Sequence, residues 1–161
     1  MVAPENLLIV RHGKERIALD LASVREVLRM VALRHLPGAP AGILGVMILR
    51  GETIAVLDLE ARLPSGSEGR PGIDHHLIVL AGTAVPLAVA VTHVEDVEVL
   101  PAGEWREAGG ALPPGVPVAG IVRLGADPVA VLDPAVLLEN GDAMALREAM
   151  RRLQQEARPK P

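Results

Sequence analysis

The sequence contains no cysteine, phenylalanine or tyrosine, and Trp105 is its single aromatic residue. Without cysteine the chain has no disulfide framework and no thiolate nucleophile. One aromatic side chain is also too few for the stacking platforms on which single-stranded nucleic acids bind. The net charge of −4 supplies no basic field for a phosphate backbone, so we expect no nucleic-acid partner.

Long apolar runs are lacking as well. No stretch approaches the ~18 apolar residues of a membrane span, and charges interrupt the N-terminal residues where a signal peptide would be apolar. We therefore expect a cytoplasmic protein without direct membrane insertion. With 161 residues, of which 50% are hydrophobic, the chain can form one domain around an aliphatic core.

Motifs that carry catalytic chemistry are missing too. The phosphate-binding patterns G-x-x-x-x-G-K-[ST] and G-x-G-x-x-G do not occur, nor does the nucleophile elbow G-x-S-x-G. His75 and His76 would point to opposite faces of a strand, and no HxH or HxxxH spacing is present for a metal. We expect no catalytic residue, no metal site and no cofactor, and therefore no enzyme.

The sequence does contain an internal repeat. At an offset of 75 residues, Ile43–Leu63 falls on Val118–Leu138 with seven of 21 pairs identical, where roughly two would be expected from composition. At an offset of 70 residues, Ser23–Val27 falls on His93–Val97. The repeat predicts two halves of similar structure. Biased composition and recurrent strand patterning are the alternative explanation.

Short, β-branched apolar segments separated by glycine and proline predict a mainly β protein. Predicted strands cover Leu7–Arg11, Glu15–Leu19, Val31–His35, Ile43–Leu49, Glu52–Leu57, Leu77–Leu80, Val85–Val91, Val118–Leu124 and Val129–Leu132. Asp20–Leu28 is expected to form a helical turn, because its apolar residues share one helical face. Thr92–Val97 is expected to turn and Pro101–Pro117 to be a loop. Asp58 and Asp133 end equivalent strands, where we expect each to cap the following turn.

The C-terminal residues differ in kind from the rest. Asp142 is a plausible N-cap, and the helix formers that follow place Leu146, Met150 and Leu153 along one stripe that should dock on the β structure. We predict one domain over residues 1–139, with halves at 5–63 and 73–139 between which strands can be exchanged. Residues 140–161 would form the C-terminal helix and tail.

Two segments resemble the CheW family of chemotaxis adaptors. Val24-Arg25-Glu26-Val27 matches its V-x-E-[IV] pattern, and Ile43–Leu59, ILGVMILRGETIAVLDL, matches its G-V-x-x-L-R-G hairpin. The resemblance runs from about Leu7 to Leu138. It implies two small five-stranded SH3-like β-barrels related by pseudo-symmetry, with a groove between them. It also implies a non-catalytic adaptor, or alternatively a similar scaffold in another system such as surface motility.

The resemblance further implies two protein partners, the cytoplasmic tip of a chemoreceptor and the regulatory domain of a CheA-type histidine kinase. The receptor-binding residues that it implies are Val24, Glu26, Val27, Arg50, Val85 and Leu87. The hypothesis for the kinase contact places it around Leu36, Ile43 and Gly45.

Arg50 has two interpretations. Its guanidinium could hold a carboxylate or helix-end carbonyls of the receptor, or it could pair within the chain with Glu26 or Asp58 and fix the hairpin. Trp105 likewise could anchor an interface or pack over a barrel mouth. The family often has Asn where this chain has Ile48, which leaves the identity of the partners open.

Overall fold

The computed structural model describes residues 2–66, 71–109, 112–113 and 115–156, and within these ranges the chain is mainly β. The strands are β1 (Asn6–His12), β2 (Glu15–Asp20), β3 (Val24–Arg29), β4 (Ile43–Leu49), β5 (Glu52–Asp58), β6 (His76–Leu80), β7 (Leu87–Val91), β8 (His93–Val99), β9 (Trp105–Glu107), β10 (Val118–Leu124) and β11 (Asp127–Leu132). Short 3-10 turns lie at Leu21–Ser23, Leu59–Ala61 and Pro134–Val136. The helix α1 spans Asn140–Glu156.

The strands form two mixed sheets. The first has six strands in the order β8-β1-β2-β11-β10-β9, and the second has five in the order β3-β6-β7-β5-β4. Strand β2 runs parallel to β11, and β5 runs parallel to β7, while the other neighbours are antiparallel. The prediction of a mainly β fold with related halves and a C-terminal helix is confirmed.

The internal repeat is confirmed in the pairing of the strands. Ile17 of β2 pairs with Ala130 of β11, and Leu87 of β7 pairs with Ala55 of β5. Ile17 and Leu87 are 70 residues apart, and Ala55 and Ala130 are 75 residues apart. These are the same two offsets that relate the two halves in sequence. Equivalent strands therefore occupy equivalent places and registers in the two sheets.

Asp58 and Asp133 perform the same local task in the two halves. The Asp58 carboxylate accepts from the Glu60 amide at 3.1 Å, and the Asp133 carboxylate accepts from the Ala135 amide at 3.1 Å. Each side chain thus satisfies a backbone donor at the start of a 3-10 turn. The capping prediction is confirmed for both residues.

Each sheet is assembled from both halves of the sequence. The N-terminal hairpin β1–β2 completes the first sheet with β8 and β11, whereas the hairpin β6–β7 completes the second sheet with β3 and β5. The central strands β6 and β7 are apolar at nearly every position because they are covered on both faces. The division at residue 139 stays a prediction, and residues 157–161 lie outside the described ranges.

Two segments differ from their predicted form. A helical turn is predicted over Asp20–Leu28, but only Leu21–Ser23 is helical, and the chain from Val24 to Arg29 forms the edge strand β3. Thr92–Val97 was expected to turn, yet it lies mostly in β8, the counterpart of β3. Strand β3 alternates between half-buried and exposed side chains, as a strand does. Each of the two segments is extended because it pairs with a neighbouring strand, β3 with β6 and β8 with β1.

Two further predictions need correction. Val31–His35 is not a strand, and only Arg34 forms a bridge, to Val46 of β4. Asp142 is not an N-cap, because the helix begins at Asn140 and the Asp142 carboxylate instead accepts from Arg62 Nη2 at 3.3 Å.

Trp105 lies in β9, inside the segment predicted to be a loop. Its half-buried side chain packs against the cluster that contains Leu7 and Ile9. The ring also lies close over Gly120, where an added Cβ would stand 2.6 Å from the Trp105 Cη2 atom. Trp105 therefore packs against the first sheet, and its place over a barrel mouth stays a prediction.

The helix α1 docks on the main core through its apolar stripe. Leu146, Ala149, Met150 and Leu153 are buried in the cluster that also holds residues of both sheets. Arg62 joins the same region, since its Nε donates to the Leu137 carbonyl oxygen at 3.0 Å. The helix is therefore an integral part of the fold.

Candidate functional site

Arg50 lies at the tip of the β4–β5 hairpin in a backbone conformation that is unusual for its type. Its φ is +47° and that of Gly51 is +81°, as in the tight two-residue turns that favour Asn-Gly. Among the described residues, Arg50 is the one non-glycine with positive φ. The equivalent turn of the second half has Gly125 at this position, with φ of +66°. Arginine is disfavoured in this left-handed backbone conformation, and its presence there points to a role for its side chain.

The side chain of Arg50 pairs with Glu26 on β3. Nη1 donates to Glu26 Oε1 at 3.2 Å, and Nη2 donates to Oε2 in a two-pronged ion pair. The hydrogen bond between them raises the pKa of Arg50 and, despite partial desolvation, lowers the pKa of Glu26. The intramolecular pairing is confirmed with Glu26, whereas Asp58 caps a turn instead. Because 64% of the Arg50 side chain stays exposed, the guanidinium can also meet a partner.

Arg50 borders a groove of about 640 Å³ that we call the arginine groove. Three segments line it: the hairpin tip, the turn before β7 and one face of α1. The lining residues are Arg50, Gly51, Glu52, Thr53, Ala84, Val85, Pro86, Arg147, Met150, Arg151 and Gln154. Three guanidinium groups and one carboxylate thus surround an opening with an apolar floor.

The residues predicted to bind the receptor do not all offer side chains to solvent. Val24, Glu26 and Val27 lie on the edge strand β3, where 39% of Val27 is exposed. Val85 borders the arginine groove but is only 3% exposed, so it belongs to the floor. Leu87 is 1% exposed and lies in the core. A receptor role for these residues stays a prediction, and for Leu87 it could only be indirect.

The residues predicted to bind the kinase are also largely covered. Leu36 is 3% exposed within the main core, and half-buried Ile43 packs against the same cluster. Gly45 is buried at a β-bulge of β4. Neighbouring side chains provide the exposed apolar surface, with Val31 47% and Ile48 72% exposed. The kinase contact stays a prediction, and Val31 and Ile48 are exposed apolar side chains on which it can be tested.

Some kinds of site are not found in the part of the chain that the structure describes. Over these residues, no three histidine or carboxylate side chains converge as ligands of a metal ion would. No helix there has the length and apolar character needed to cross a membrane.

Sequence reasoning missed the contribution of α1 to the arginine groove. Arg147 and Arg151 are four residues apart and so lie on one face of the helix. That spacing was visible in the sequence. Which surface this face would meet depends on how the apolar stripe docks, and the sequence pattern does not specify that.

The sequence matches known proteins over much of its length. Residues 6–142 match the family model of the CheW-like domain. The chain is 30% identical over 91 residues to the chemotaxis protein CheW of Rhizobium meliloti (strain 1021), which covers 56% of this chain and 58% of that protein. It is 33% identical over 75 residues to a probable chemotaxis protein CheW of Rhizobium etli, covering 47% of each. The alignments thus span about half the length of these relatives.

A solved structure shows the same fold. The scaffolding protein TtCheW from Thermoanaerobacter tengcongensis superposes with a TM-score of 0.75 and 22% sequence identity. The match covers 86% of this chain and 96% of that one. The two-sheet arrangement therefore belongs to a fold already seen in a crystal structure.

Proposed function

The chain belongs to the CheW-like domain family, and on that basis we propose that it is a non-catalytic adaptor coupling chemoreceptors to a CheA-type histidine kinase. The receptor tip would bind at the arginine groove and along β3, and the regulatory domain of the kinase would bind elsewhere. We place the protein in the cytoplasm, where receptor tips and kinase meet.

The observation that carries this proposal is Arg50. Its side chain is held outward by Glu26, on a turn whose backbone would be more relaxed with glycine or asparagine. Such a feature contributes little to folding, but it presents a fixed guanidinium for a carboxylate or a carbonyl group. An adaptor needs surfaces of this kind rather than reacting groups.

We expect Arg50→Glu to weaken receptor binding without disturbing the fold. The charge reversal turns the attraction to a receptor carboxylate into repulsion, and it also breaks the pair with Glu26. The dissociation constant for a receptor cytoplasmic fragment should rise by about tenfold or more. Because the site is exposed, the melting temperature should stay within about 2 °C of wild type. Cosedimentation with receptor-bearing membranes and a thermal melt measure the two effects.

Arg123→Glu is the matched control for this experiment. Arg123 is an exposed arginine on β10 of the other sheet, so its reversal changes the net charge of the protein by the same amount. It should leave receptor binding nearly unchanged. Equal losses in both variants, or a large fall in melting temperature in Arg50→Glu alone, would contradict a receptor contact at Arg50.

We expect Ile48→Glu to weaken binding of the kinase regulatory domain. Ile48 lies on β4 with 72% of its surface exposed, beside the predicted kinase-binding residues of that strand. A charge on an apolar contact surface must be desolvated when the partner binds, so we expect affinity to fall about tenfold. Calorimetry at matched salt measures the change. Ile73→Glu, at a residue 88% exposed and outside this strand, is the control.

A further inference from the structure

The C-terminal helix supplies one wall of the arginine groove, and its arginines are divided between two faces. Arg147, Met150, Arg151 and Gln154 face the groove, whereas Arg152 lines a separate cavity with Pro37 and Gly38. The groove-facing side of α1 therefore carries two guanidinium groups and an apolar floor residue. This wall is independent of the hairpin that carries Arg50.

Arg147 is held in place but not neutralised. Its Nη2 donates to the Ala84 carbonyl oxygen at 3.1 Å, which fixes the side chain across the groove. Over the described residues, no carboxylate lies within ion-pair distance of it. A guanidinium has five N–H donors, so most of those on Arg147 remain for a ligand.

The other two guanidinium groups are already paired on one side. Arg50 meets Glu26, and Arg151 meets Glu148 at 2.6 Å. Glu52, the one carboxylate that lines the groove, pairs with Arg25 at 3.2 Å. The groove thus keeps an excess of positive charge in a protein whose net charge is −4, and that excess is centred on Arg147.

We propose that Arg147 and Arg151 of α1 bind a carboxylate on the partner that occupies the arginine groove, so that the C-terminal helix helps to select an acidic receptor tip. The proposal rests on the proposed function, in which that partner is the receptor. The occupant that fits is a helix end that presents an aliphatic side chain to Val85 and Met150 and a carboxylate to the arginines. Bidentate guanidinium contacts to a carboxylate would fix the position of that helix end.

Neighbouring arginines allow a matched charge-reversal test. Arg151 and Arg152 both pair with Glu148, their side chains are 58% and 66% exposed, and only Arg151 faces the groove. Arg151→Glu should raise the dissociation constant for a receptor cytoplasmic fragment about tenfold relative to Arg152→Glu. The dissociation constant of the Arg151→Glu variant should also change less than that of wild type between about 50 and 300 mM NaCl. Titrations would use fragments of the chemoreceptors from the same cell.

Arg147 is tested by two smaller changes. Arg147→Gln removes the charge but keeps a polar amide side chain, and it should weaken binding. Arg147→Lys keeps the charge and should recover part of the affinity. Circular dichroism checks that α1 remains helical in all variants.

A cross-linking experiment tests the location without changing the arginines. Because the chain has no cysteine, Gln154→Cys introduces a unique thiol on the groove side of α1. A thiol-linked photoprobe there should label the receptor fragment, while the same probe at Gln155→Cys should label it much less. Gln155 does not line the arginine groove.

The outcomes separate this inference from the proposed function. If Arg50→Glu weakens receptor binding while Arg151→Glu and Arg152→Glu behave alike and the two cysteine probes label equally, the receptor does not contact α1. The inference is then wrong and the adaptor function stands. If the wild-type protein binds none of the receptor fragments, both are wrong.

Discussion

Gly45→Asp is expected to destabilise the fold strongly, so that it cannot serve as a probe of an interface. Gly45 has φ of +150°, and a Cβ added there would lie 2.5 Å from the backbone oxygen of Arg34 and 3.1 Å from the Leu33 Cβ. The same Arg34 backbone is bonded to Val46 in both directions, at 2.8 and 2.9 Å. Neither side of this bridge can move away without breaking it. Overpacking, backbone strain and a buried charge should together cost about 3 kcal/mol or more.

Urea denaturation followed by circular dichroism measures this loss. Gly125→Asp is the matched control, because Gly125 also has positive φ but an added Cβ would meet nothing within 4 Å. The control should lose little stability, since aspartate tolerates the left-handed region better than most residues. A folded Gly45→Asp protein with a wild-type denaturation midpoint would contradict the steric account. Because Gly45→Asp is expected to disturb the fold, a loss of kinase binding in this variant would not locate an interface at Gly45.

Leu146→Ala should cause the second large effect, because it removes the most deeply buried contact of α1. Leu146 is 0% exposed and belongs to the main core, together with Leu36 and Val85. Truncating a buried leucine leaves a cavity and costs about 2–5 kcal/mol, a large share of the stability of a domain. The melting temperature should fall by about 5–15 °C.

Met144→Ala is the control for this helix substitution. Met144 lies on α1 two residues earlier but is 68% exposed, so its truncation should change the melting temperature by about 2 °C or less. If Leu146→Ala melted like Met144→Ala, α1 would not be docked as described. The wall that it contributes to the arginine groove would then be in doubt as well.

The fold could be predicted from the sequence mainly because of the repeat. Matching Ile43–Leu63 to Val118–Leu138 identified equivalent strands. The structure agrees, since Ala55 in one sheet and Ala130 in the other pair with equivalent residues of their parallel neighbours. Errors arose where local patterns support two structures. Val24 and Leu28, four residues apart, share a face in a helix and in a strand alike, and only the pairing of β3 with β6 decides between the two structures.

The candidate site could be predicted only in part. Arg50 was identified from the hairpin motif, with Glu26 or Asp58 as its possible partner in the chain, and the structure joins it to Glu26. The burial of Leu36 and Leu87 was not foreseen, because apolar residues of a core and of an interface look alike in a sequence. Which of them is covered depends on strands and a helix that are distant along the chain.

The exchange of hairpins between the halves has a consequence for synthesis of the protein on the ribosome. Strand β1 needs β8, and β2 needs β11, so the first sheet cannot close until nearly all strands have been made. The second sheet needs β6 and β7 and can close earlier. Until β8 and β11 have been synthesised, the outer edges of the hairpin β1–β2 should therefore remain without their partner strands, and pairings so distant in sequence form slowly. A nascent chain stalled after β7 would hold one finished sheet and an apolar hairpin that chaperones could bind.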